Sequence, residues 1–392
     1  MSGKIVVSGV GCCLVDKIYS NISFNGKQFG AYYSMQRGDG GLTPGQLVFK
    51  EEFEAFTGKK FSLALEEITK GRSPDKINIG GPCIVALIHV AQMLETEGII
   101  ICFYGSGGND EEGKYLLSAL KNTPVNIDNY RLLNNDTPST VVLSDPSYDN
   151  GHGERIFINS IGSAWDYTPE DLNDVFFSSN ILVFGGTALV PKIHDNLTKL
   201  LRKAKTNGCI TVVNTVFDFR NETSNPHQKW PLGKSDDSYG YIDLLLVNQE
   251  EALRLSMTTD IDKAIHFFRK NRVGALVITN GSNNIRAYSD GSFFGFLDEC
   301  ELPVSKAVSD QLKKDYSGDT TGCGDNFVGG VIASMSSQLQ MGVDQPDLKE
   351  ACIWGIVSGG FCCFYMGGAY FEEFPGEKRN KIEPYYEQYQ NQ

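Results

Sequence analysis

Short, uninterrupted runs of aliphatic and β-branched residues alternate with segments of helical period along most of this chain, and that alternation narrows the possible folds most. Candidate strands fall at 4–11, 98–104, 180–184, 209–215, 242–247 and 275–279. Helical patterns fall between them and after them, at 82–95, 111–122, 191–207, 249–255, 261–271, 326–339 and 347–365. A strand covered on both faces reads as a continuous apolar run, and parallel strands need crossover helices. The expected architecture is therefore a three-layer α/β/α sandwich around a mainly parallel sheet, with ligands beyond the carboxyl ends of the strands.

Two stretches interrupt the alternation. Residues 125–161 read as consecutive strands with turns at Asn134-Asn135 and Asp149-Asn150-Gly151. Together with 17–29 they are expected to form a small sheet, a lid, projecting from the main body. Residues 30–75 stand apart from both patterns, with helices predicted at 45–57 and 62–70. The tail after Gly376 is polar and expected to be exposed. No internal repeat or low-complexity tract divides the chain, so residues 1–392 read as one domain.

The balance of 35 Lys+Arg against 48 Asp+Glu, net −13, argues against nucleic acid as a partner. Ten cysteines lie mostly within apolar runs, no paired C-x-x-C motif occurs, and the chain has only five histidines. Reduced thiols rather than a zinc site are expected. No apolar run reaches membrane-spanning length, and the first residues lack the long apolar core of a signal peptide, so the expectation is a cytoplasmic protein with no membrane partner.

The richest motif is Asp319-Thr320-Thr321-Gly322-Cys323-Gly324-Asp325, placed directly before a helical apolar pattern of Phe327, Val328, Val331, Ile332, Met335 and Leu339. A glycine-rich turn opening a helix leaves amide N–H groups free at the positive end of the dipole, where they can hold a phosphate. A carboxylate would repel that anion, so Asp325 suits a different task, taking a proton from a hydroxyl that attacks phosphorus. The plain alternative is an ordinary tight turn with Asp325 as a dipole partner.

Other clusters flank the same strand ends. Asn78-Ile79-Gly80-Gly81-Pro82 opens an apolar helix, either exposing amides to a ligand or merely connecting strand to helix. Asn248-Gln249-Glu250-Glu251 follows a strand, where Asn248 and Glu251 suit a hydrated Mg²⁺ and equally a capping box. Thr279-Asn280-Gly281 could meet a nucleotide phosphate or form a turn. Asp16, amid apolar residues, can accept hydrogen bonds from two neighbouring hydroxyls, although a lone aspartate is more often a turn residue. Gly105-Ser106-Gly107-Gly108-Asn109-Asp110 superficially matches a dinucleotide fingerprint, but Asp110 stands where the third glycine belongs, which excludes an NAD-dependent oxidoreductase.

Taken in order, these motifs resemble the ribokinase-like (PfkB) family of carbohydrate kinases from about Ile5 to Ala369. The 319–325 motif is similar to the family's C-terminal signature, with Cys323 where alanine is commonest. Gly105-x-x-Gly108-x-Asp110-x-x-Gly113, Asn248-x-x-Glu251, Thr279-x-Gly281 and Gly153-Glu154-Arg155 also look like the family pattern. The resemblance implies an α/β sandwich with a β-sheet lid, and ATP and Mg²⁺ as co-substrates. It implies Asp325 as catalytic base and the amides of Gly322, Cys323, Gly324 and Asp325 as an anion hole. Asn248 and Glu251 would organise Mg²⁺, with Thr279, Gly281 and Thr320 toward the nucleotide. Asp16, Gly80 and Gly81, with Asp325, would contact a sugar hydroxyl. Asp319 and Thr321 match positions that hold a monovalent cation, such as K⁺, in many members.

The chain departs from that pattern in three places. Val85 stands four residues after Gly81, where the family usually has asparagine. Asp16 and Gly80 are unusually far apart because 30–75 looks inserted. Asn214-Thr215-Val216-Phe217-Asp218-Phe219-Arg220 replaces an Asp-Pro-Asn-x-Arg segment. All three touch the acceptor pocket and leave the transfer motif whole.

The reading is in-line transfer of the ATP γ-phosphoryl group to a hydroxymethyl of a sugar or sugar derivative, with Asp325 needing no large pKa shift. Rival readings are a nucleoside (adenosine-like) kinase and a catalytically silent sugar-binding homologue. The lid's strand edges or apolar face could be covered by a second subunit, giving a homodimer.

Overall fold

The computed structural model describes residues 4–27, 29–36, 38–151, 153–314 and 318–392. Fourteen strands are described: β1 (Val6–Gly11), β2 (Leu14–Tyr19), β3 (Leu47–Phe49), β4 (Lys76–Gly80), β5 (Ile100–Gly108), β6 (Asn126–Leu133), β7 (Ser139–Asp145), β8 (Glu154–Ser160), β9 (Ile181–Gly185), β10 (Ile210–Asn214), β11 (Leu244–Asn248), β12 (Ala275–Thr279), β13 (Ile285–Ser289) and β14 (Leu297–Leu302). Nine form one sheet in the order β6-β5-β1-β9-β10-β11-β12-β13-β14. The first seven run parallel, and β13 and β14 close one edge as antiparallel strands. Strand β9 is buried at every position, as a central strand covered on both faces must be.

Helices α3 (Pro82–Leu94), α6 (Cys323–Gln340), α7 (Leu348–Cys362) and α8 (Glu377–Gln390) join the core on one face. A second apolar cluster fills the other face and continues into the small sheet. Chain order reverses between β1 and β9, whose carboxyl ends meet at Gly11 and Gly185. A Cβ on either glycine would lie 2.4 Å or 2.6 Å from Cys83 Cβ, so the paired glycines admit the first turn of α3 over the switch point where such sheets bind ligands.

The small sheet has the order β3-β8-β7-β2-β4, and its membership corrects the expected lid. Strand β6 joins the large sheet instead. The helix before it, α4 (Glu111–Leu120), is a crossover, and a crossover returns the chain parallel to β5. In exchange the small sheet takes β2 from Leu14, β4, and β3 from within 30–75. Residues 47–49 are therefore strand, and the first inserted helix, α1 (Lys50–Thr57), begins later than expected. A second helix, α2 (Phe61–Thr69), matches the prediction closely.

These inserted elements have a definite place. Phe53, Ala64 and Ile68 join Tyr19, Val141, Leu143, Ile156 and Ile158 in one apolar cluster. The register puts those five strand residues on one face of the small sheet. Residues 30–75 thus cover from within the chain an apolar face of the small sheet that a second subunit could otherwise have covered.

The polar tail is a second correction. Helix α8 docks rather than floats: Ile382 is fully buried, Tyr389 and Lys378 nearly so, and Tyr386 stacks on Trp354 at 4.2 Å. Its apolar and aromatic residues, Ile382, Tyr385, Tyr386 and Tyr389, recur at helical spacing and make one sticky face on a helix otherwise polar. Among the described residues no helix is long and apolar enough to cross a membrane.

Candidate active site

The 319–325 motif forms a turn that opens α6, with Gly322 as N-cap at φ 79°. A Cβ there would lie 2.3 Å from Gly368 Cα, so both conformation and space demand glycine. Gly324 faces open space. Two main-chain bonds shape the turn: Cys323 N–H donates to Thr320 O at 3.3 Å, and Asn326 N–H to Gly322 O at 2.9 Å. Among the described residues the Gly322, Gly324 and Asp325 amides have no such partner, so three of the four expected anion-hole donors are open and Cys323's is engaged.

Asp325 occupies the first helical turn, partly exposed, and its carboxylate accepts no hydrogen bond among the described residues. Although the residue is partly exposed, desolvation of its carboxyl, reinforced by the charge of Glu251, pushes it up to about 7, against the expectation of no large shift. An acid poised there is half ionised near neutrality and matched to proton transfer.

Asp319 lies just before the turn, buried, with Oδ1 accepting from the amides of Thr321 (2.9 Å) and Gly367 (3.3 Å) and Oδ2 from Thr321 Oγ1 (3.2 Å). Arg155, from β8, reaches Thr321 Oγ1 with Nη1 at 3.5 Å. A guanidinium thus brings positive charge to the pair expected to hold a monovalent cation.

Two elements present the next carboxylate. Asn248 caps α5 (Gln249–Ser256) in a full capping box: its Oδ1 accepts from Glu251 N–H at 2.8 Å, and Glu251 Oε2 accepts from Asn248 N–H at 3.0 Å. Thr215 Oγ1 donates to the same Oε2 at 2.6 Å. Burial raises the Glu251 carboxyl, opposed by those two donors. With Oε2 doubly bonded, Oε1 accepts nothing among the described residues, which fits a carboxylate that meets a hydrated cation through water. Thr279 pairs in register with Asn248 one strand over. Gly281 lies beyond it in an exposed turn at φ 56°, and among the described residues no hydrogen bond joins either residue to the 319–325 turn.

Asp16 and the Gly80-Gly81 pair, far apart in sequence, are brought together by antiparallel pairing of β2 with β4. A Cβ on Gly80 would meet Asp16 Oδ2 at 2.2 Å, and one on Gly81 (φ 114°) would meet Cys12 O at 2.2 Å. The strand register then extends the site beyond those residues. Asn78 lies beside Asp16, Asp16 beside Thr140, and Thr140 beside Asn159, a polar row across β4, β2, β7 and β8. All four are buried, Asn159 Nδ2 donates to Thr140 Oγ1 at 2.9 Å, and Asn159 Oδ1 has no partner among the described residues. Burial raises the Asp16 carboxyl well above the carboxylate range, and the charges of Asp325 and Asp319 both add to the rise, which places Asp16 within their field.

Sequence reasoning missed Thr140, Asn159 and the support beneath the turn. Thr140 and Asn159 could have been found as polar residues on the otherwise apolar alternation of β7 and β8. The support centres on Asn326, whose Nδ2 donates to Gly322 O (2.8 Å) and Gly368 O (2.9 Å). Its Oδ1 accepts from both Lys378 Nζ at 2.8 Å and Tyr365 Oη at 3.2 Å. Only the adjacency of Asn326 to Asp325 hinted at this. The Gly105–Asp110 motif serves packing: Asp110 caps α4 through Gly113 N–H (2.7 Å) and holds Thr137 N–H (2.8 Å) at the root of β7.

The family described as "pfkB family carbohydrate kinase" matches residues 89–373. "Probable fructokinase-6, chloroplastic" of Arabidopsis thaliana is 24% identical over 274 residues, covering 66% of this chain and 63% of that relative. The chain therefore spans less than two thirds of that relative's length. "Fructokinase-2" of Oryza sativa subsp. japonica is 22% identical over 71% of this chain and 78% of its own. Among solved structures, the adenosine kinase from Sinorhizobium meliloti superposes with a TM-score of 0.69 at 17% identity, covering 97% of this chain and 100% of that one. The ribokinase from Thermotoga maritima gives 0.61 at 16% identity over 98% and 99%. At such identities these two structures speak to the fold alone.

Proposed function

The chain belongs to the pfkB family of carbohydrate kinases, and on that premise we propose that it transfers the γ-phosphoryl group of ATP to a hydroxymethyl of a sugar or sugar derivative. The observation that carries the reading is an unbonded carboxylate, Asp325, held beside three open amides at the amino end of α6. Asp325 takes the proton of the attacking hydroxyl. The Gly322, Gly324 and Asp325 amides face the charge that gathers on the migrating phosphoryl oxygens. Thr320, exposed on the turn, and Thr279 and Gly281 at the end of β12 serve the nucleotide side.

Mg²⁺, when bound, neutralises phosphate charge, and the residues that would hold it through water are Glu251 and Asn248. The capping box orients that carboxylate before any ligand arrives. At the other end, Asp16, Gly80 and Gly81 with Thr140 and Asn159 form the acceptor wall. Its buried, partly unsatisfied polar row suits several hydroxyl groups better than an apolar base, which favours a polyol over a nucleoside acceptor.

An ATP-coupled screen across sugars, sugar phosphates and nucleosides tests this directly. Turnover with a free sugar is expected. Turnover confined to nucleosides would overturn the acceptor assignment, and none with any acceptor would favour a silent sugar-binding homologue.

A further inference from the structure

Three cysteines surround the turn just described, and Cys323 lies within side-chain reach of both others, with Cys363 its partly exposed partner. Cys323 is the first residue of α6 and Cys363 the residue after α7; their sulfurs lie 3.4 Å apart. Both are partly exposed, whereas their neighbour Cys362 is buried, with its thiol donating to Thr321 O at 3.3 Å and accepting from Asn326 Nδ2 at 3.3 Å. All ten cysteines of the chain are free. Cys102 and Cys300 are also partly exposed, but neither has a thiol in contact among the described residues.

We propose that Cys323 and Cys363 are a reversible oxidation site, joined into a disulfide by a peroxide, and that the bond switches off the turn holding Asp325. One sulfur attacks the peroxide, the O–O bond breaks, and a sulfenic acid forms as water or an alcohol leaves. The second sulfur attacks the first, the S–O bond breaks, and water departs with the remaining thiol proton. Two thiols lose two electrons and the peroxide is reduced by two. The sulfurs must close from 3.4 Å to about 2.0 Å. The backbone there has little freedom to follow, because Gly322 is pressed on Gly368 and Asn326 is tied to Gly322 O and Gly368 O. Shifting Cys323 therefore displaces the amides on either side of it.

The consequence for turnover rests on the kinase reading; the bond itself does not. The full chain is treated with hydrogen peroxide, digested without reductant and examined by mass spectrometry, alongside turnover before and after dithiothreitol. A linked peptide containing Cys323 and Cys363 is expected. With it, turnover should fall on the order of 10²-fold, the scale of losing one anion-hole donor, and recover on reduction. Cys363→Ala should keep its untreated turnover and resist peroxide, whereas Cys300→Ser should remain sensitive. Absence of the linked peptide, or equal inactivation of Cys363→Ala, would overturn the site. A linked peptide with unchanged turnover would overturn the switch. If the untreated protein turned over no acceptor, the linked peptide would still uphold the thiol site, and only the kinase reading would fall.

Discussion

The two ends of the site are built from different material. At the proposed transfer end the working groups are main-chain amides and one carboxylate, all within the seven residues from Asp319 to Asp325. At the proposed acceptor end they are the side chains of Asp16, Thr140 and Asn159, delivered by three strands of the small sheet, while Asn78 beside Asp16 is tied to the main chain of Met366 and Ala369. A main-chain cradle depends on glycine and on the start of a helix, and tolerates change in the side chains around it. A side-chain wall changes its chemistry with every substitution. The first kind of end can keep one reaction while the second varies the substrate.

The sharpest test of that contrast is Asp325→Asn. It keeps shape and removes the base, so turnover should fall by about 10²–10⁴ with nucleotide affinity unchanged. Kinetics that left turnover near normal would remove Asp325 from the chemistry. Gly322→Ala comes next, because a Cβ would collide with Gly368 in a left-handed conformation. The strain is on the order of 1–3 kcal/mol. Turnover should drop on the order of 10²-fold, together with a lower melting temperature. A Gly322→Ala protein with normal turnover would show that the cradle is not the working part.

The acceptor end should respond differently. Asp16→Ala removes a buried carboxyl that bonds the acceptor's hydroxyls and leaves them unsatisfied, a cost of about 1–3 kcal/mol, and should raise the KM for the phosphate acceptor by roughly 5- to 100-fold. Asn159→Ala should raise it about five-fold, the scale of one neutral hydrogen bond. Neither should move the KM for ATP. A parallel rise in both constants would mean the two ends are not separable. The pH profile probes the transfer end alone. Asp325 must be ionised to accept a proton, and its carboxyl is pushed up to about 7. Turnover should therefore climb as pH rises through 7 and fall roughly ten-fold for each unit below it. An acid limb near the ordinary carboxylate range would show that bound substrates restore Asp325 to its usual acidity.

The same contrast explains what could be read from sequence. The parallel sheet was legible because its strands are continuous apolar runs, and the 319–325 turn because glycines before a helix leave a local signature. Asp16 was visible as a candidate, yet its partners Thr140 and Asn159 were not, since strand register between distant segments decides which polar residues share a face. The assignment of β6 to the lid failed for a related reason: nothing local says which sheet a strand joins, only that a crossover helix precedes it. Residues 30–75 were opaque because their apolar residues face a sheet assembled from four other segments. The terminal helix was misread because a polar average hid one face, of which Ile382 and Tyr389 are fully or nearly buried.

The smallest expected effect on turnover concerns a point where that terminal helix touches the transfer end. Lys378 is buried with its Nζ 2.8 Å from Asn326 Oδ1, and burial lowers its amine to about 7. Lys378→Met leaves Tyr365 Oη on Asn326 and should lower turnover only about five-fold, the scale of one hydrogen bond near 1 kcal/mol. Stability should move the other way. The unfolded chain binds this proton up to about 10.4, so from 7 to about 10.4 the unfolded state holds more protons and wild-type stability rises with pH. Below 7 the native state carries the full cost of a buried ammonium. The methionine variant should thus gain most over wild type near pH 6 and lose that advantage toward pH 10. Urea midpoints at several pH values would show it. A constant difference across that range would mean Lys378 stays charged in the fold, held by Asn326 and the faces of Tyr365 and Tyr370, whose ring centres lie 5.8 and 5.7 Å from its nitrogen. In that case the helix would lend the turn a fixed positive charge rather than a neutral anchor, and the transfer end would no longer be a purely main-chain device.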